Sequence, residues 1–195
     1  RTFPPHSHPA APPSMTGPRF ILFVGCFASL APISLPAQFS ERREQMVRTQ
    51  IADRGIRDTL VLKAMRRVER HAFVPQEYLR EAYEDHPVPI GYGQTISQPY
   101  IVALMTELLK LRPSYKVLEV GTGSGYQAAI LAEIVDSVFT VEIVQPLAES
   151  SADRLKRLGY RKTLVKHADG YFGWEMYAPF DAIIVTAAAE HNPPP

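Results

Sequence analysis

Between Lys116 and Tyr126 the chain reads KVLEVGTGSGY, with an acid, Glu119, two residues ahead of glycines at 121, 123 and 125. Glycine at such positions lets the backbone adopt conformations closed to other residues and brings a ligand within contact distance of the main chain. Two further acids follow, Glu142, about seventeen residues beyond the last of those glycines, and Asp169 just before Gly170. Glu142 is placed to accept two hydrogen bonds from a ribose diol. Ile143 can cover one face of a base, and Asp169 can accept from an exocyclic amine such as that of adenine. Taken singly, Glu142 reads as a solvated loop acid and Asp169 as a turn-former. Their joint spacing favours a nucleoside ligand.

The dinucleotide fingerprint is Gly-x-Gly-x-x-Gly, whereas this chain has Gly-x-Gly-x-Gly preceded by Glu119. An acid there would repel a pyrophosphate. It suits a cationic ligand, such as the amino group and sulfonium of S-adenosylmethionine.

These residues need a frame. Val117, Leu118 and Val120 are the apolar side chains of a buried parallel strand, and Gly121, Thr122, Gly123, Ser124 and Gly125 turn the chain into a helix from Tyr126 whose free amides face the ligand. The pattern then predicts helix 126–134, strand 137–141, helix 145–158, strand 162–166 and strand 181–186. Repeated strand and helix of this length imply a parallel α/β sheet with right-handed crossovers, which binds ligands outside the carboxyl ends of its strands. The glycine turn, Glu142-Ile143 and Asp169-Gly170 all fall at such ends and are expected to converge.

Upstream, Ser40 is placed to cap a helix carrying Met46, Val47, Ile51 and Ala52, ended by Gly55. A second helix is expected over 58–68 and a third, short one over 76–82. The polar, glycine-bearing segment Gly91 to Pro99, which includes Gln94, Thr95, Ile96 and Ser97, reads as a loop and a candidate substrate platform. Ser97 equally reads as the cap of a helix over 99–109.

Composition bounds the rest. The 195 residues are 46% hydrophobic and 21% charged, as in an ordinary globular domain, and 21 basic against 20 acidic residues leave a net charge of +1. Nothing in that balance calls for nucleic acid as a partner. The pairs Arg42-Arg43 and Arg66-Arg67 read as solvated helix faces. One cysteine, Cys26, makes neither an intramolecular disulfide nor a cysteine metal site. The first fourteen residues, proline-rich and aperiodic, read as a disordered tail or as upstream sequence read through ahead of Met15. Residues Met15 to Ala37 have the charge, apolar core and small-residue order of an export signal, too short to span a membrane.

From about Ser40 to Pro195 the sequence resembles the protein-L-isoaspartate (D-aspartate) O-methyltransferase family. The matching stretches are GQTISQPYIVALMTELL (Gly93 to Leu109), KVLEVGTGSGYQAAILAEI (Lys116 to Ile134), FTVEI (Phe139 to Ile143) and APFDAIIVTAAA (Ala178 to Ala189). The resemblance implies a class I S-adenosylmethionine-dependent methyltransferase, with a Rossmann-like parallel sheet behind N-terminal helices. It divides the chain into an N-terminal segment 1–37, a helical and substrate-loop region 38–110 and a cofactor-binding region 111–195. Gly121, Gly123, Gly125, Glu142, Ile143 and Asp169 are implied to bind the cofactor; Glu119, Thr122 and Gly170 are counted with them as candidate cofactor-binding residues. Ser97, the family's active-site position, and Thr95 are implied to lie beside the transferring methyl, with Gln94 and Ile96 in the same substrate segment. Val185, Thr186 and Ala187 are implied to line a peptide channel. Isoaspartyl-containing proteins would be the partners of a monomer.

The chain departs from the family at Ala168, where the pattern has glycine, and at its end, where further strands are expected; a sheet cut there would fold poorly. Family and cofactor supply imply the cytoplasm, against which the signal-like segment implies export. Two other readings stay open: a nicotinamide-linked oxidoreductase sharing the strand, glycine turn and helix, and a fragment that binds S-adenosylmethionine without catalysis.

Overall fold

A computed structural model describes Thr2 and residues 35–187 of the chain. The proline-rich segment and residues 15–34 of the signal-like stretch lie outside the described residues, and Ala37 lies inside the first helix, α1 (Leu35–Gln45). That helix starts ahead of Ser40, so Ser40 is an interior residue and not its cap. The helix continues as a π-helical turn, Met46–Ile51, and a 3-10 turn that ends at Gly55 with φ of 105°, a conformation that favours glycine. Met46, Val47 and Ile51 are fully buried.

Helix α2 (Thr59–Arg67) begins where the Asp58 side chain accepts hydrogen bonds from the amides of Leu60 and Val61. Val61, Ala64 and Met65, at i, i+3 and i+4, form its buried stripe. The stretch expected to be helical over 76–82 closes only one 3-10 turn, Gln76–Tyr78, before irregular turns lead on.

The segment read as a loop is a hairpin. Strands β1 (Val88–Gly91) and β2 (Gln94–Ile96) pair antiparallel around a turn in which Tyr92 and Gly93 both have positive φ. Alternation was too brief to reveal it. Helix α3 (Pro99–Leu108) follows, with Gln98 at its N-cap and no side-chain cap, so Ser97 is not the capping residue.

The main sheet has four parallel strands in the order β5-β4-β3-β6, formed by β3 (Lys116–Val120), β4 (Ser137–Glu142), β5 (Thr163–His167) and β6 (Ala182–Val185). Helix α4 (Tyr126–Ala132) joins β3 to β4, and α5 (Gln145–Arg157) joins β4 to β5. The central strands are the buried ones, as parallel pairing with helical crossovers requires: Val117, Leu118 and Glu119 in β3, and Val138 to Glu142 in β4. One hydrophobic cluster runs from Met46 and Met65 through Phe73 and Tyr126 to Val117 and Val138. The N-terminal helices therefore share a core with the sheet. On the other face Leu118, Phe139 and Val141 pack against Trp174, Tyr177 and Phe180.

Of the arginine pairs expected on solvated helix faces, Arg66 and Arg67 are exposed and Arg42 and Arg43 half-buried, and they form surface ion pairs. Arg42 meets Glu84 at 2.8 Å, Arg66 meets Glu44 at 3.0 Å and Arg67 meets Glu133 at 3.1 Å.

Candidate active site

At the carboxyl ends of β3, β4, β5 and β6 lies a cavity of about 750 Å³. Its walls are the hairpin residues Gln94 to Ser97, the strand ends Glu119 and Val120, the turn Gly121 to Ser124, Glu142 to Val144, Asp169 and Gly170, and Val185 to Ala187. Residues far apart in the chain are thus brought to one place by the parallel sheet. Of those expected from sequence, Gly125 alone stands outside. It is the αL residue that opens α4, with φ of 88°, and a Cβ there would lie 3.2 Å from Leu155 of α5. Its part is helix packing.

The turn is held from within the protein. The amides of Gly121 and Thr122 both donate to the Val141 carbonyl, at 2.8 and 3.2 Å, that of Gly123 donates to Glu142 Oε2 at 2.7 Å, and that of Gly125 to the Thr122 carbonyl at 2.8 Å. These four turn amides are engaged within the protein; the expectation from sequence concerned the amides of the helix that begins at Tyr126, which are not among them. A phosphate cradle needs unengaged N–H groups. Through these four residues the turn offers shape, not a ring of free N–H groups. At Gly121, with φ of 100°, a Cβ would come within 2.9 Å of the Ala187 backbone nitrogen, so the strand ends close tightly on each other.

Three residues that the sequence did not single out for this work complete the frame. The Thr140 and Thr122 hydroxyls lie 2.6 Å apart, tying β4 to the turn. Arg154 of α5 donates to the Ser124 carbonyl at 2.8 Å. The hairpin reaches the turn as well, since a Cβ at Gly123 would sit 3.4 Å from Ile90 Cδ1. Thr186 has a hydroxyl 2.6 Å from the Gly121 carbonyl, so it braces the glycine turn in addition to lining the cavity. None of these has a sequence signature, because each is a contact between elements.

The acids have distinct environments. Glu142 is buried and accepts from the Gly123 amide through Oε2 and from the Val144 amide through Oε1, at 2.7 and 2.9 Å, which orients both oxygens and leaves each a further lone pair. Asp169 is exposed and accepts from the Tyr171 amide through Oδ1 at 2.9 Å, leaving Oδ2 to other partners. It is turn-former and cavity wall at once. Ala168 does not adopt a positive φ, so its methyl group is accommodated where the family pattern has glycine. Ile143 is 64% exposed at the cavity rim, as a lid over a flat ligand requires.

Glu119 is different. It is completely buried near the carboxyl end of β3, and neither carboxyl oxygen has a hydrogen-bond partner among the described residues. Burial pushes its carboxyl up to about 8, with the Glu142 charge adding to the shift and the neighbouring Thr140 hydroxyl opposing it. A buried, unsatisfied carboxyl at a cavity wall is the counterpart of a cationic donor group. The cavity therefore fits S-adenosylmethionine: Glu119 for its ammonium, Glu142 for a ribose diol, Ile143 and Asp169 for a base.

A parallel sheet with this cavity at its carboxyl ends defines a class I S-adenosylmethionine-dependent methyltransferase. Residues 41–195 match the model of the protein-L-isoaspartate (D-aspartate) O-methyltransferase family, and the chain belongs to that family. It is 59% identical over 153 residues to a protein-L-isoaspartate O-methyltransferase from Picosynechococcus sp., covering 78% of this chain and 69% of that one. To protein-L-isoaspartate O-methyltransferase 1 of Nitrosospira multiformis it is 54% identical over 177 residues, covering 90% and 73%. Among solved structures, a protein-L-isoaspartate O-methyltransferase superposes with a TM-score of 0.69 at 31% identity, covering 74% of this chain and 47% of the other. A Plasmodium falciparum structure assigned to the same activity, in complex with S-adenosyl-L-homocysteine, gives 0.65 at 29% identity, covering 77% and 76%.

Proposed function

We propose that this chain transfers a methyl group from S-adenosylmethionine to the free carboxylate of L-isoaspartyl and D-aspartyl residues in damaged proteins, the step that initiates their repair. The observation that carries this reading is the meeting, in one cavity, of the hairpin Gln94 to Ser97 with the glycine turn and the orphaned Glu119.

S-adenosylmethionine supplies an electrophilic methyl group on a sulfonium. Glu119, Gly121, Thr122, Gly123, Glu142, Ile143, Asp169 and Gly170 hold it. A substrate carboxylate, with a reference pKa near ~3.9, is ionised at neutral pH, so no residue here has to act as general base. What the protein contributes is orientation and exclusion of water, worth ~7–11 kcal/mol in well-oriented cases. Ser97 is half-buried on the cavity wall, and its hydroxyl has no partner among the described residues; it orients the carboxylate by donating to it. Thr95, Gln94 and Ile96 bound the same end, and Val185, Thr186 and Ala187 form the channel for peptide backbone lengthened by one methylene.

No described helix is long and apolar enough to cross a membrane. We place the enzyme in the cytoplasm, where its cofactor is made, acting as a monomer without nucleic acid. The test is methanol released after methylation of an isoaspartyl peptide. Ser97→Ala is expected to lose turnover at least tenfold while binding S-adenosylmethionine normally; cofactor binding without any methanol release from the unsubstituted chain would overturn the catalytic reading.

A further inference from the structure

Behind Ser97 lies a buried cation. Arg70 has 0% exposure, yet no carboxylate pairs with it among the described residues. Its Nε donates to the Ala82 carbonyl at 2.7 Å and its Nη2 to the Ser97 carbonyl at 2.8 Å, while Nη1 is buried without a partner. The guanidinium lies 4.8 Å from the centre of the Tyr126 ring. Tyr126 is the first residue of α4, and both it and Ser97 line the active-site cavity.

Burying a charge with no counter-ion is costly, and a guanidinium is suited to it only because its rigid fork serves several fixed partners at once. Those partners belong to three separate parts of the chain: the turns after the 3-10 helix, the exit of the hairpin and the start of the helix after the glycine turn. A backbone carbonyl held by a charged donor is held more firmly than by a neutral one. The residue so held is the one whose hydroxyl faces the substrate.

We infer that Arg70 is a positioning residue for the acceptor half of the site, fixing the backbone of Ser97 relative to Tyr126 so that the Ser97 hydroxyl meets the substrate carboxylate in register. The inference rests on the role proposed for Ser97. Arg70 makes no hydrogen bond to the glycine turn or to Glu142 among the described residues, and of its two hydrogen bonds one holds Ser97, so its effect is expected on the peptide and not on S-adenosylmethionine.

The test uses the full chain with Arg70→Lys, which keeps the charge but donates from a single point, and Arg70→Gln, which removes the charge. Each variant is checked for folding by its thermal transition, then titrated with S-adenosylmethionine and assayed with an isoaspartyl peptide beside Ser97→Ala. The expected result is a peptide kcat/KM lowered roughly tenfold or more, about the loss of one charge-assisted hydrogen bond, with the cofactor Kd within about twofold of the original. Lysine recovers more than glutamine. Unchanged peptide kinetics in a folded variant would overturn the inference, and so would a cofactor Kd that rises in step with the peptide KM, which marks a residue that only supports the fold. If Ser97→Ala turns over normally, the role given to Ser97 falls and the inference falls with it, whatever Arg70→Lys does.

Discussion

Glu142 and Gly123 are joined across the sheet, the carboxylate Oε2 accepting the glycine amide hydrogen at 2.7 Å, so that the acid ending β4 shapes the turn that follows β3. The same carboxylate holds the Val144 amide at 2.9 Å. The shape of the turn therefore depends on the side chain proposed to hold the cofactor's ribose.

Replacing it affects both. Glu142→Ala leaves two amides without their acceptor and removes the diol contact; the expected outcome is a loss of about 2 kcal/mol in urea denaturation and a Kd for S-adenosylmethionine raised at least tenfold. Glu142→Gln, which keeps one acceptor oxygen, is expected to fall between. An unchanged Kd in Glu142→Ala would remove Glu142 from the cofactor site.

Glu119 makes the unliganded protein sensitive to pH. Its folded carboxyl titrates near 8 because of burial, well above the ordinary range, so the folded state binds a proton that the unfolded state has released. The stability this gives is complete below about pH 4 and is lost as pH rises towards 8, at a slope of order 1 kcal/mol per unit. Denaturation of the cofactor-free protein between pH 5 and 8 measures this, and Glu119→Gln is expected to flatten the decline. Because a cationic ligand favours the ionised carboxyl, S-adenosylmethionine binding at pH 7 is expected to release a proton, read as a dependence of calorimetric heat on buffer ionisation enthalpy. Proton uptake, or none, is the contrary result.

Gly170 is a glycine for steric reasons. A Cβ there would lie 2.3 Å from Val120 Cγ1, a side-chain contact against the end of β3. Gly170→Ala is expected to destabilise by roughly 1–3 kcal/mol through overpacking. Val120→Ala, which removes the obstructing methyl group, is expected to recover part of that loss in the double variant, so the two changes are non-additive. Additive losses would mean that the glycine is needed for another reason.

At Ala168 the opposite holds. Since this residue has no positive φ, Ala168→Gly relieves no strain and only loosens the unfolded chain. The expected change is a loss of about 0.5 kcal/mol in stability with the cofactor Kd unaltered. A gain in affinity would show that the family glycine serves contact with the ligand.

The parallel sheet was legible in the sequence because strands β3 and β4 are short apolar runs separated by helical periods, and such runs form only one kind of sheet. The meeting of the two acids in one cavity was legible for a related reason: Glu142 and Asp169 lie at strand ends, and in a parallel sheet all strand ends on one side face the same space. The hairpin was not legible. Its three-residue strand β2 is too short to show alternation, and its turn uses Tyr92 at φ of 54°, a residue with no turn signature. Ser40 and Ser97 were misread as caps because serine favours helix starts only in the absence of stronger tertiary constraints. Ser40 lies within α1, and the Ser97 backbone is held by Arg70.

By itself the sequence determined where the glycine turn and the acid ahead of it stand at the end of a buried strand, since glycine spacing and the acid before it are local properties of one strand and its turn. Only the tertiary structure decided how that turn is used. The amides of Gly121, Thr122, Gly123 and Gly125 are taken up by Val141, Glu142 and Thr122, the turn's shape is set by Thr186, Thr140 and Arg154, and the carbonyl of Ser97 on the cavity wall is held from behind by an arginine twenty-seven residues earlier in the chain. Hydrogen bonds between distant segments leave no periodicity, and folding alone brings their donors and acceptors within reach.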